Sequence, residues 1–332
     1  MPETARELDA VLDRLLAGAL PVEEIVCEIL DLIEDEGATE AFDAVWADQL
    51  LGEAKGLDRR AKEGEPHGLL HGVPFAVDGA VSVAKGMDEL GAQRVRDTGR
   101  GRDAALLQPL RAAGALVLGR SGDGPLAQWQ SLPGVLGVPR DSLRGGHYAP
   151  TRGLVSNVGL SVRRPSFDVP ALTAASLDLI ARCAAVLGIS VYPGDGSSPQ
   201  LFTTAGALPS LPQLKLDEVD LLDEESASQW LEASARVLAH EERAASVELE
   251  PGAPGSEIRE AYDVFDRLRS ELEQLLAGGG VLIAADEGLP WQTLGLPTVR
   301  SAGVTAVGRR FEDGEVLAAA RALASTADPL GE

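Results

Sequence analysis

In this 332-residue sequence, the carboxylate of Asp78 directly follows a short predicted strand. Residues 73–77 form an apolar run between Gly72 and Gly79, which is typical of a buried strand, and Asp78 comes next. If Asp78 is buried at the edge of a sheet, it needs hydrogen bonds and could bind a cation or act as an acid. If the site is open to water, Asp78 is a hydrated carboxylate, and we favour this second interpretation.

Other polar side chains could take part in acid–base or nucleophilic chemistry. The further candidates are His71, Ser82, Ser121, His147 and Tyr148. Ser82 and Lys85 also have the Ser-Xaa-Xaa-Lys spacing of penicillin-binding enzymes, in which the serine begins a helix. The sequence around Ser82 favours an extended conformation, so we interpret this spacing as a coincidence. His147 has no visible partner in the sequence, which favours a structural role over a catalytic one.

The composition argues against several classes of function. The formal net charge is −23, so nucleic acids and anionic membrane surfaces are not expected as partners. No apolar run is long enough for a transmembrane helix and no secretory signal is visible, so a cytoplasmic location is expected. Cys27 and Cys183 lie in apolar helical patterns and are expected to be buried, reduced thiols. The four histidines are interpreted as forming no zinc site, and no metal or other cofactor is expected.

Helical and strand patterns alternate along the chain. Apolar residues at helical spacing predict helices at 4–20, 22–36, 40–60, 103–113, 173–187, within 221–250, at 257–276 and at 312–324. Short apolar runs predict strands at 73–77, 115–119, 189–192, 281–284 and 304–307, and residues 154–162 are predicted to be extended. Residues 194–214 form a connection rich in Gly, Ser and Pro. The alternation predicts an α/β fold.

Four segments of the chain, in the family's order, resemble the amidase signature family, and the allophanate hydrolases within it. They are AKGLDRRAKEGEPHGLLHGVPFAV (54–77), DAALLQPLRAAGALVLGRSGDGPLAQ (103–128), APTRGLVSNVGLSVRRPSFDVPALTAASLDLIARCAAVLGI (149–189) and GLPTVRSAGVTAVGRRFEDGEVLAAARAL (295–323). The resemblance implies an α/β/α sandwich built on a mixed, twisted sheet.

The sequence departs from the family at its catalytic positions. The family's mechanism uses a serine nucleophile, a second serine that relays its proton, and a lysine that must be neutral to act as the base. The family pattern LxGVPFAVKD has that lysine where this chain has Asp78. The Gly- and Ser-rich loop with both serines has no counterpart between residues 137 and 153, so the resemblance implies an internal deletion that shortens the fold. None of the chain's four lysines, Lys55, Lys62, Lys85 and Lys215, is expected to replace the base.

We expect residues 1–332 to form a single amidase-like domain. Residues 1–70 would supply N-terminal helices, and residues 71–192 the remnant of the signature core. Residues 193–256 would form a variable acidic and loop region. Residues 257–332 would complete the core with a helix, two strands and a helix.

Three functions fit this pattern. The favoured one is a catalytically inactive amidase-like protein, a pseudoenzyme, that serves as a binding or partner subunit. The alternative is a repurposed enzyme that acts on a small amide or carbonyl metabolite with a new site built from the candidate residues. The third is a residual amidase with a different base. A deletion would expose apolar sheet edges, so we expect a homodimer, a complex with an active paralogue or pathway enzyme, or a small-molecule ligand.

Overall fold

The chain divides into two compact units in the computed structural model. The first unit comprises 1–140, 155–161 and 170–188, and the second comprises 141–154, 162–169 and 189–332. The structure describes residues 13–15, 17–35, 42–84, 102–121, 136–138, 148–174, 176–192, 198–204, 216–219, 223–245, 255–285, 291–301 and 304–326. The expectation of a single domain, with its four internal segments, stays a prediction.

Two helices pack together in the N-terminal part of the first unit. Helix α1 spans Val22–Asp35 and helix α2 spans Ala47–Lys62. Their apolar stripes pack into one core, as expected for amphipathic helices. The Asp58 carboxylate of α2 accepts hydrogen bonds from the backbone N–H groups of Val22 (2.7 Å) and Glu23 (3.0 Å). Asp58 therefore satisfies two of the donors that the first turn of α1 leaves without a partner in the helix.

A four-stranded sheet forms the centre of the first unit. Its strands are β1 (Phe42–Val45), β2 (Pro74–Val77), β3 (Leu116–Ser121) and β4 (Leu136–Val138), in the order β1-β3-β2-β4. Strand β2 runs parallel to both β3 and β4, whereas β1 runs antiparallel to β3. Strand β2 is buried throughout, which agrees with its continuous apolar sequence.

Two further helices belong to the first unit. Helix α3 is short (Leu107–Ala112) and immediately precedes β3, and helix α4 spans Leu177–Val186. The hydroxyl of Ser176 accepts a hydrogen bond from the backbone N–H of Leu179 (3.2 Å) and so caps α4 at its N-terminus. This cap explains why α4 begins several residues after the predicted start at residue 173.

The second unit contains a six-stranded mixed sheet. Its strands are β5 (Tyr148–Ala149), β6 (Leu201–Thr204), β7 (Leu216–Val219), β8 (Val281–Ala285), β9 (Thr298–Ser301) and β10 (Val304–Gly308). They lie in the order β5-β9-β10-β8-β6-β7. The β5–β9–β10–β8 pairings are antiparallel, and β6 is parallel to both β8 and β7.

The α-helices in the described residues of the second unit are α5 (Glu224–Ala245), α6 (Gly255–Leu275) and α7 (Asp313–Thr326). Helices α5 and α6 pack together over an apolar core that includes Trp230 and Trp291, whose ring centroids are 5.0 Å apart. Glu241 of α5 is buried and accepts hydrogen bonds from the hydroxyls of Ser166 (2.6 Å) and Tyr262 (2.7 Å). These bonds provide the partners that a buried carboxylate requires.

Several sequence predictions need correction. The predicted helix at 40–60 begins only at Ala47, because Phe42–Val45 form β1 and pair with β3. The connection at 194–214 contains β6, which lies between β7 and β8. Residues 154–162 form turns, with one isolated bridge from Leu160 to Val81, and residues 189–192 join no sheet. Local sequence could not reveal these differences, because strand formation depends on pairing with distant segments.

The cysteine prediction is correct for one residue only. Cys183 is buried, and burial raises the pKa of its thiol, whereas Cys27 is exposed on α1. Both are free thiols. Cys27 lies on the face of α1 that does not contact the core, although its neighbour Val26 is buried.

Candidate functional site

The carboxyl ends of β2 and β3 bring polar residues together in the first unit. Because the two strands are parallel, with Val77 in register with Arg120, their ends meet at the same edge of the sheet. Asp78 follows β2 at this edge, and Arg120 and Ser121 end β3. In α/β folds, ligands commonly bind outside the carboxyl ends of parallel strands. This edge is therefore the candidate functional site.

Asp78 closes a tight turn at the end of β2. Its carboxylate oxygen Oδ1 accepts a hydrogen bond from the backbone N–H of Ala80 (2.7 Å), and its backbone carbonyl accepts one from Val81 (2.9 Å). The side chain is half-buried. This arrangement is an Asx turn, in which the carboxylate substitutes for a backbone acceptor. Asp78 is therefore neither the fully buried acid nor the freely hydrated carboxylate that the sequence allowed, because it is half-buried and bonded within a turn.

Arg120 is a residue of this site that the sequence analysis did not select. Only 6% of it is exposed, and its Nη1 donates a hydrogen bond to the carbonyl of Gly79 (2.9 Å). Burial lowers the pKa of the Arg120 guanidinium, while the charges of Asp43 and Asp78 oppose that shift. An arginine is still protonated at neutral pH, so the site contains a fixed positive charge beside a carboxylate. The sequence signal that could have identified Arg120 is a charged residue within the otherwise apolar strand LVLGRS, because charged residues are seldom fully buried.

Ser121 lies next to the Asp78 turn but is not activated. Its hydroxyl donates to the backbone carbonyl of Val77 at 3.3 Å, and both groups are buried. A serine nucleophile needs a base that accepts its proton, and a peptide carbonyl is too weakly basic for this role. Ser121 therefore tethers β3 to β2 in this geometry.

Ser82 lies just beyond the Asp78 turn and is buried. Its backbone N–H donates to the carbonyl of Gly159 (2.9 Å), and its carbonyl accepts from Ala104 (2.8 Å). The backbone of Ser82 thereby connects segments that are distant in the sequence. Lys85, the other half of the Ser-Xaa-Xaa-Lys spacing, lies outside the described residues.

His71 lies at the opposite end of β2 from Asp78. A four-residue strand spans about 13 Å, so the two residues do not form one site. The His71 ring packs edge-to-face on His67, with 4.2 Å between ring centroids, and it lines a cleft of about 340 Å³. Burial lowers the pKa of His71, as do His67 and Arg60, while Asp58 opposes the shift. His67 and His71 have the spacing HxxxH, which the prediction that the four histidines lack ligand spacing overlooked.

Tyr148 belongs to the second unit, in β5, and is completely buried. Its hydroxyl donates to Oδ1 of Asp313 at 2.7 Å. Burial raises the pKa of the Tyr148 phenol, and the Asp313 carboxylate adds to the shift, so the phenol is a neutral donor at physiological pH. His147 lies outside the described residues, so its role stays a prediction.

Two of the four lysines fall within the described residues, on α2. The amino group of Lys55 lies 3.3 Å from the carboxylate of Glu23, and 61% of its side chain is exposed. Lys62 ends the same helix and is exposed. Lys85 and Lys215 are outside the described residues.

Within the described ranges, no group of three or more His, Cys, Asp or Glu side chains could hold a metal ion. In the same part of the chain, no helix is both long and apolar enough to span a membrane.

Comparison with other sequences identifies partial relatives. No family model matches the chain. It is 40% identical over 116 residues to a subunit of the glutamyl-tRNA(Gln) amidotransferase of Symbiobacterium thermophilum. This match covers 34% of the chain and only 24% of that relative, so the chain matches about a quarter of the relative's length.

Comparison with solved structures identifies the fold. A chain of an inhibitor-bound complex, described as an unexpected vestigial protein complex that reveals the evolutionary origins of an s-triazine catabolic enzyme, superposes with a TM-score of 0.76 at 16% identity. The superposition covers 95% of this chain and 97% of that one. The crystal structure of an amidase superposes with a TM-score of 0.71 at 20% identity, covering 96% and 99%. The chain thus has the amidase-signature α/β fold.

Proposed function

We propose that this chain is a degenerate member of the amidase signature family that does not hydrolyse amides and acts by binding. The observation that carries this proposal is the geometry of Asp78. The family's base would follow β2, and here that position holds a carboxylate engaged in an Asx turn beside the buried guanidinium of Arg120. The amidase-type fold and the similarity to part of an amidotransferase support the family assignment.

The charges at this site oppose the family's mechanism. A lysine base must lose its proton to accept one from serine, which requires surroundings that disfavour positive charge on the amine. In this chain the position carries a negative charge, and a fixed positive charge lies next to it on β3. The nearby Ser121 hydroxyl is already bonded to a backbone carbonyl. These contacts stabilise the sheet edge and leave no described serine–lysine pair for acyl transfer.

A fluorophosphonate probe, which reacts with activated serines, tests the loss of hydrolysis. We expect intact-mass spectra to show no adduct after exposure to the probe, because under this proposal no serine–lysine relay activates a serine. The variant Asp78→Lys should also remain unlabelled, since restoring the lysine alone does not restore the nucleophile. An intact peptide amidase treated in parallel must label fully. Stoichiometric labelling of one serine in this chain would contradict the proposal.

We further infer that the ligand of this protein is another protein chain, either a second copy or an active amidase. The relative in sequence is one component of a multi-subunit amidotransferase, and a similar structure comes from a complex, which supports an assembly role here as well. Multi-angle light scattering of the purified chain, alone and mixed with an amidase from the same genome, should detect a mass well above the monomer's 34.7 kDa. A monomer under both conditions would contradict the partner role.

A further inference from the structure

A polar cleft opens in the first unit at the amino end of β2, away from Asp78. Its volume is about 340 Å³, and the end of α2, the turn before β2 and the end of α3 form its walls. The charged or titratable residues of the lining are Arg60, Glu65, His71 and Arg111. The cleft is large enough for a small molecule or ion.

His71 is the buried polar group of this cleft. Only 6% of the residue is exposed, and its ring packs edge-to-face on His67. Buried polar side chains nearly always have a hydrogen-bond partner from protein, water or ligand. Because His71 lines the cleft, a molecule bound there would be in a position to accept a hydrogen bond from its ring.

Two arginines supply positive charge around His71. Arg60 contacts Glu65 at 3.6 Å, and both side chains are more than half exposed, so this ion pair is weak and easily exchanged. Arg111 is more strongly held, with Glu53 at 3.0 Å and Asp103 at 3.5 Å. A guanidinium group has five N–H donors, so each arginine can still donate to a bound acceptor. Arg60 is the residue most able to change partner.

We propose that this cleft binds a small anion through a carboxylate or phosphate group placed between Arg60 and His71. The anion would replace Glu65 at the Arg60 guanidinium and accept a hydrogen bond from His71. Such charge-assisted hydrogen bonds are shorter and stronger than neutral ones. The cleft shares no lining residue with the Asp78 edge. A test of anion binding is therefore independent of a test of amide hydrolysis.

The charges around His71 determine how binding depends on pH. His67 and Arg60 disfavour protonation of His71, Asp58 favours it, and Glu65 and Arg111 line the same cleft. His71 is therefore mostly neutral at neutral pH. A bound anion favours the protonated imidazole and raises its pKa. By linkage, the affinity for the anion increases as the pH falls from the pKa of the bound state to the lower pKa of the free state.

An NMR titration of the full chain tests this proposal. Inorganic phosphate and acetate are added separately at mildly acidic pH, and the ring resonances of His71 are followed, with His240 of the second unit as an internal reference. We expect a saturable shift of His71 with at least one anion and none for His240. The anion that binds more tightly identifies the headgroup. No saturable shift with either anion would overturn the proposal.

Two matched arginine variants distinguish binding in the cleft from a general effect of removing positive charge. Arg60→Ala should weaken binding about tenfold, the equivalent of one charge-assisted hydrogen bond. Arg59→Ala, which removes the same charge from the neighbouring position of α2 outside the cleft lining, should leave the affinity unchanged. Glu65→Gln should tighten binding, because it releases Arg60 from its competitor. Equal effects of the two arginine variants, or weaker binding by Glu65→Gln, would contradict the site.

Discussion

Replacing Asp313 with alanine is expected to lower the free energy of unfolding by about 4 kcal/mol, as for the removal of other buried, multiply bonded carboxylates. Asp313 begins α7 and is only 2% exposed. Its carboxylate accepts hydrogen bonds from the hydroxyl of Tyr148 (2.7 Å), the backbone N–H of Thr151 (2.9 Å) and the hydroxyl of Thr151 (2.7 Å). Alanine would leave these three donors buried without an acceptor. Urea denaturation followed by circular dichroism measures the change.

Single-contact variants test whether the network accounts for this loss. Tyr148→Phe removes one donor and should cost about 1 kcal/mol. Asp266→Ala removes an exposed carboxylate that pairs with Arg269 on the surface of α6, and it should change stability by less than about 0.5 kcal/mol. If Asp313→Ala were as mild as Asp266→Ala, the Asp313 network would not be a main determinant of stability.

The Tyr148 bond also makes stability sensitive to alkaline pH. Because folding raises the pKa of the phenol, its contribution is complete below the ordinary tyrosine pKa of 10.0. It is lost as the pH rises above that value toward the folded-state pKa. Tyr148 was a catalytic candidate in the sequence, and its hydrogen bond to Asp313 gives it a structural role instead.

Replacing Gly119 with alanine is expected to destabilise the first unit by about 3 kcal/mol, the upper range for overpacking a core. A Cβ atom at this position would lie 2.2 Å from the backbone carbonyl oxygen of Ala44. Both atoms belong to the pairing of β1 with β3, so neither strand can move without breaking that ladder. Since Arg120 follows Gly119 directly, the substitution should also disturb the candidate site. The midpoint of thermal unfolding provides the measurement.

Gly56 of α2 provides the control for this prediction. A Cβ atom at Gly56 would meet no atom within 4 Å, and the residue is inside a helix. Gly56→Ala should therefore stabilise the protein by about 0.5–1 kcal/mol, because alanine loses less backbone entropy than glycine on helix formation. Destabilisation by Gly56→Ala, or tolerance of Gly119→Ala, would contradict this account of the β1–β3 contact.

Sequence patterns predicted those elements that a local signal defines. The apolar run before Asp78 is β2, and the helical stripe near the C-terminus is α6, within two residues of the predicted bounds. Strands β1 and β6 were missed, because β1 lies within a segment with a helical pattern and β6 within a connection rich in Gly, Ser and Pro. Both strands are formed by pairing with partners elsewhere in the chain. The α/β class was predicted from the alternation of helical and strand patterns, and the amidase-type fold from the resemblance of four segments, in a fixed order, to the amidase signature family.

The sequence by itself determined that an acidic residue follows β2. It placed a carboxylate there, next to a glycine and outside a buried strand, and this much requires no tertiary information. Tertiary structure decided what that carboxylate contacts. Arg120 lies near Asp78 only because β2 and β3 are parallel and in register. Tyr148 and Asp313 are 165 residues apart and meet only in the folded second unit. Side chains that are far apart in sequence become neighbours only through folding. Local sequence patterns therefore cannot predict these contacts.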